Sequence, residues 1–183
     1  MRKLLSIILS LTIMITLCSC VITDNNIENY ADDVEKYHAE LFMPNLDDLG
    51  NYENREYFIK KDEGIFPSYS MQLLVKYDSE TFLKEKEQLE TAYTYLDKPQ
   101  KADWKTDYTI PLEKFSYEGF DFKVVQFEDT EYPKNFGIVG VSESKKEIVY
   151  LWLYAPDLDL ICKTDENQLE EMIEFLDCYF SLD

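Results

Sequence analysis

The sequence predicts an α+β domain: an antiparallel sheet of about five strands with helices packed on it, in the order αββαβββα. Three observations predict it. Apolar residues recur at three- and four-residue steps over 27–42, 79–96 and 165–180, the spacing of amphipathic helices. Five runs rich in Tyr, Phe, Val and Ile lie between and after the first two, joined mostly by short, turn-prone links that suit hairpins and meanders. The 183 residues, 45% hydrophobic and 15% aromatic, suffice for one packed core and hold no repeat or low-complexity tract.

The first helix carries Ile27, Tyr30, Val34, Tyr37, His38, Leu41 and Phe42 on one stripe, with Asn25 or Asn26 as its cap and Pro44 just past its end. Its opposite face is acidic, from Glu28 to Glu40, and acid in the first turns suits the helix dipole. Strands at 55–61 and 69–77 pair as a hairpin across Asp62-Glu63-Gly64 and Pro67. In the helix at 79–96, Ser79 is placed to cap and Phe82, Leu83, Leu89, Tyr93 and Leu96 form the stripe. Residues 97–111, with two prolines, three lysines and Trp104, read as a long loop.

Strands at 117–127, 136–141 and 147–154 form a meander. In the last, Ile148, Tyr150, Trp152 and Tyr154 point one way and Val149, Leu151 and Leu153 the other, so both faces of the sheet are covered at least in part. The final helix, from Thr164 or Asp165 to Phe180, carries Leu169, Met172, Ile173, Leu176 and Phe180.

Before this domain comes a leader, residues 1–19: Arg2 and Lys3, then an almost unbroken apolar run from Leu4 to Leu17. That run is shorter than the roughly 20 residues a spanning helix needs and fits an export signal, with a transmembrane anchor or a buried helix as the alternatives. It ends in Leu17-Cys18-Ser19-Cys20, which resembles the lipobox of bacterial lipoproteins, with Cys18 standing where Ala or Ser is usual. The resemblance implies cleavage before Cys20 and a diacylglyceryl group on its sulfur. Two acyl chains are what stable membrane anchoring requires. Residues 20–26 then read as the lipidated cysteine and a short tether, and 27–183 as one domain at the extracytoplasmic face of the cell membrane. The leader and the Tyr-, Lys-, Glu- and Asp-rich domain together resemble the small, uncharacterised lipoproteins of Gram-positive bacteria, a resemblance that implies no activity.

Charge narrows the partners. Lys and Arg number 18 against 37 Asp and Glu, a net −19, and the leader contributes two of the cations and no acid. Such a field repels nucleic acid and anionic headgroups and favours a cationic peptide, glycan or protein partner.

Few residues point to chemistry. After lipidation of Cys20 only Cys162 and Cys178 could pair, and a continuous helix would hold them roughly 20 Å apart, so two buried free thiols are expected. His38 sits on the apolar stripe, where a partly buried, satisfied histidine is expected rather than a catalytic base. Asp157 and Asp159, followed by Asp165 and Glu166, are a calcium candidate without the spacing of a calcium-binding hand; a solvated acidic turn is the expectation, and no cofactor is. Ser142-Glu143-Ser144-Lys145 has the Ser-x-x-Lys spacing but reads as a hairpin turn.

The candidate ligand surface is the aromatic face of Tyr150, Trp152 and Tyr154, unless the first helix lies across it, with Trp104 between Lys101 and Lys105 as a second contact. The functional expectation is a noncatalytic binding module. The alternative is a carboxylate-dependent hydrolase acting on cell-wall material, which needs two converging carboxylates in a pocket.

Overall fold

In a computed structural model of the chain, the residues described are 21–102, 107–163 and 166–182. They form three α-helices, α1 (Tyr30–Lys36), α2 (Ser79–Ala92) and α3 (Gln168–Tyr179). The long strands are β2 (Tyr52–Asp62), β3 (Ser68–Tyr77), β8 (Phe120–Gln126), β9 (Asn135–Ser142) and β10 (Glu147–Tyr154). The short ones are β1 (Val21–Asp24), β4 (Thr94–Tyr95), β5 (Gln100–Lys101), β6 (Tyr108–Ile110) and β7 (Lys114–Tyr117).

The class is α+β as expected, but the main sheet has eight strands rather than about five, in the order β1-β2-β3-β10-β9-β8-β4, with β7 also on β8 and β5-β6 as a separate pair. Every pairing is antiparallel. The five long strands fall within the five predicted runs, but the expected order αββαβββα does not hold for the whole, since β1 precedes α1 and β4, β5, β6 and β7 lie between α2 and β8. The additional ones are two to four residues long, too short to show alternation, and their places are set by the neighbours that accept them.

The hairpin β2-β3 and the meander β8-β9-β10 are joined through β3 and β10, in register from Ile148 opposite Val75 to Tyr154 opposite Tyr69. Both faces of the sheet are therefore buried. Ile148, Tyr150 and Trp152 face α1, α2 and the chain at Ala39–Met43; Val149, Leu151 and Leu153 face α3 with Met172, Phe175 and Leu176. Each such apolar side chain removed from water contributes about 2 kcal/mol.

Several boundaries differ from the sequence reading. The supposed tether at 21–26 contains β1, which pairs with the end of β2 from Val21 opposite Asp62 to Asp24 opposite Ile59. The first helix begins as a 3-10 turn at Ile27–Asn29 and stops at Lys36, well before Phe42. There the His38 amide donates to the Glu35 carbonyl and that of Ala39 to the Val34 carbonyl, with His38 at φ 59, a left-handed helix stop that beats the apolar periodicity. The expected strand at 117–127 is two, β7 and β8, joined by the two-residue turn Glu118-Gly119 with both φ positive. Asp78 rather than Ser79 caps α2, accepting from the amides of Glu80 and Thr81, and these bonds hold its carboxyl below the usual range.

Buried polar residues on β3 also have a purpose. Ser70 donates to the Tyr179 carbonyl at 2.6 Å, and the Gln72 amide exchanges bonds with both the carbonyl and the N–H of Ser181. Together they stitch the chain segment after α3 along the sheet.

Candidate functional site

A cleft of about 700 Å³ lies on the α1/α2 side of the sheet. It exists because α1 stops early. The chain after His38 turns back over the sheet and is pinned at two carbonyls: Tyr93 donates to Phe42 at 2.9 Å and Tyr30 to Pro44 at 2.6 Å. Burial raises the pKa of both phenols far above the usual value, so they remain neutral donors.

Phe42 is the anchor of this segment. Its ring lies directly over Gly137, where a Cβ would meet ring carbons at 2.4 Å. Asn45 closes the segment by accepting the Asp47 amide at 3.0 Å and starting a 3-10 turn over Leu46–Asp48.

The lining is apolar at its base and acidic at its rim. Phe42, Met43 and Tyr93 belong to or pack on the core, while Glu35, Glu40, Asp47 and Asp48 stand around them; no Lys or Arg lines the cleft among the described residues. Four exposed carboxylates gathered around a partly apolar cleft attract a cation more strongly than the same charges dispersed over the surface.

Beside the cleft, α1 is locked to β2 by Asp33, which is buried. It takes Lys61 Nζ at 2.8 Å and the Tyr57 hydroxyl at 2.9 Å, and desolvation together with the Asp33 charge pushes the Tyr57 pKa well up. This cluster is filled and closed, an element of the scaffold.

The sequence candidates fall elsewhere. Tyr150 and Trp152 are interior, with Trp152 only 1% exposed, because the N-terminal segment and α2 lie across this face; Tyr154, at 37%, reaches the surface and stacks on Tyr69. Tyr150 meets the cleft only indirectly, through its ring contact with Tyr93. Trp104 and Cys20 lie outside the described residues. Asp157 and Asp159 are exposed, Asp165 lies outside the described residues, and no group of three His, Cys, Asp or Glu is placed to hold a metal ion among those described.

His38 is on the surface, its side chain 87% exposed beside Glu40, rather than partly buried on a stripe. Cys162 and Cys178 are not bridged to each other; Cys162 is buried as expected, and Cys178 is exposed because the buried side of α3 runs through Met172, Phe175 and Leu176. Ser142 to Lys145 is the β9-β10 turn, with the Ser142 hydroxyl accepting the Lys145 amide.

The cleft acids were visible in the sequence only as the polar face of a helix and an acidic loop. The one local signal for the fold-back was Pro44-Asn45 after a Phe-Met pair, a turn sequence close behind two core side chains. No protein-family model matches the chain, and no curated protein or solved structure does. No helix among the described residues is long and apolar enough to cross a membrane.

Proposed function

We propose that the protein is an extracytoplasmic lipoprotein, held in the cell membrane through Cys20, whose domain is a noncatalytic module binding a cationic ligand in the cleft. The observation that carries the binding reading is the cleft rim: Glu35, Glu40, Asp47 and Asp48 around an apolar base, with no lining cation among the described residues. A Lys- or Arg-bearing peptide would place its charged heads at the rim and its aliphatic stems against Leu41, Met43 and Tyr93. The anchor rests on the leader and the lipobox sequence.

Calorimetric titration of the full protein with a lysine-rich peptide tests the cleft. The double variant Glu35→Gln/Asp47→Asn is expected to weaken binding about tenfold, and the wild-type affinity to fall with added salt. Equal binding by wild type and variant, or by an acid-rich peptide of the same length, would sink the reading. Mass spectrometry of the membrane fraction tests the anchor, which requires a diacylglyceryl adduct on Cys20.

A further inference from the structure

The antiparallel registers bring three features to one end of the sheet. Val21 opposite Asp62 puts the start of β1 beside the β2-β3 connection, Lys61 lies opposite Tyr69, and Tyr69 lies opposite Tyr154. At the tip of that connection Ile65 is 74% exposed and Phe66 62%. Of the nine large apolar residues that are exposed among those described, five gather at this end: Val21, Ile22, Ile65, Phe66 and Tyr154. A soluble surface rarely concentrates its apolar exposure in this way without a partner.

Behind the tip stand Tyr37, Tyr69 and Tyr154, with ring centroids 4.2 Å apart for the first pair and 6.2 Å for the second. Lys36 and Lys61 lie over the Tyr37 ring at 4.8 and 5.3 Å. An apolar tip backed by tyrosines and by the exposed Lys36 is the layering of a membrane interface, with hydrocarbon first and amphipathic rings and an ammonium group at headgroup depth, while the Lys61 ammonium stays with Asp33.

What identifies the occupant is where the chain leaves the domain. The residue before β1 is Cys20, and residues 1–20 include the apolar run from Leu4 to Leu17. On the anchored reading, whether through lipid on Cys20 or through a retained leader, the attachment would leave the domain at the end of the sheet that carries Ile65 and Phe66. We propose that the β2-β3 tip inserts Ile65 and Phe66 into the bilayer beside the anchor, as a second, noncovalent membrane contact. The proposal rests on the anchored reading above.

The tip contact is apolar, not electrostatic. Asp62 and Glu63 adjoin it, and the Asp62 carboxylate is engaged by the Gly64 amide at 3.0 Å. Insertion is therefore strongest in neutral lipid and weaker beside anionic headgroups.

The test uses the full-length protein, processed in its own envelope and reconstituted into phosphatidylcholine vesicles whose acyl chains carry bromine, a short-range quencher of tryptophan. Phe66→Trp is compared with Leu83→Trp, an exposed position at the start of α2, and with wild type, in which Trp104 and Trp152 set the baseline. The proposal expects the indole introduced at the tip to be quenched severalfold more than the one introduced on α2, and less so when phosphatidylglycerol replaces part of the phosphatidylcholine. Quenching in the Phe66→Trp variant no greater than in the Leu83→Trp variant overturns it, whatever Cys20 carries. Mass spectrometry on the same sample separates the two readings, because a quenched tip indole with Cys20 unmodified supports the tip and overturns the lipid anchor.

Discussion

His38 shows how one backbone angle makes the cleft. The apolar stripe from Ile27 to Phe42 invites a helix through Tyr37 and beyond, yet the chain turns at φ 59 and releases Phe42 to drop onto Gly137. A left-handed conformation strains any side chain with a Cβ, and glycine adopts it freely. His38→Gly is therefore expected to raise stability by about 0.5–1 kcal/mol, measured as a higher melting temperature, despite removing a side chain. A lower melting temperature would mean that the imidazole, not the turn, matters there. Gly137 is the matching residue below: any Cβ would push the Phe42 ring off the sheet and open the cleft from its base. Neither role was legible in the sequence, because a histidine on a stripe and a glycine in a strand each have a commoner reading.

Among the elements, the long periodic ones were legible and the short ones were not. β2, β3, β8, β9 and β10 are runs of seven or more residues rich in β-branched and aromatic side chains, continuous in β9 and β10 where both faces are buried, and α2 and α3 carry apolar stripes, so local pattern and tertiary role agree. β1, β4, β5 and β6 have too few residues for a pattern, and the β3-β10 pairing joins halves of the chain that nothing local connects. The α1-β2 contact is similar: Asp33 looked like one more acid on a solvated face, but it receives Lys61 and Tyr57 in the interior. Lys61→Met leaves that carboxylate buried with one donor and is expected to cost about 3 kcal/mol. Adding Asp33→Leu should recover most of the loss, because removing both charges also removes the burial cost. Denaturant unfolding of the single and double variants checks this, and a double variant no more stable than the single would refute the lock.

At the scale of the molecule, tyrosines govern the alkaline limit. Burial is the first cause raising the pKa of Tyr30, Tyr57, Tyr77, Tyr93, Tyr95, Tyr132 and Tyr150 above 10.0. Each therefore stays neutral in the folded state at a pH where the unfolded chain has ionised. The contribution is complete below pH 10 and is lost above it, since only the unfolded state then releases protons. Every such tyrosine steepens the fall by about 1.4 kcal/mol per pH unit, so thermal melts should show a sharp loss of stability beginning near pH 10. A flat profile through that region would contradict the burial of these rings.

The acid surplus read from composition also takes on a shape at this scale. It is concentrated in part around one cleft, in the same half of the sheet as Phe42 and Gly137. The position of β1 has a mechanical consequence too. On the proposed anchoring at Cys20, a pull away from the bilayer would load β1 along its length against β2, so the backbone bonds between Val21–Asp24 and Ile59–Asp62 would share the force together instead of opening one after another. On that reading the segment after Cys20 is a shear-loaded rivet in place of a slack leash, and it would limit how far the domain can swing from its anchor.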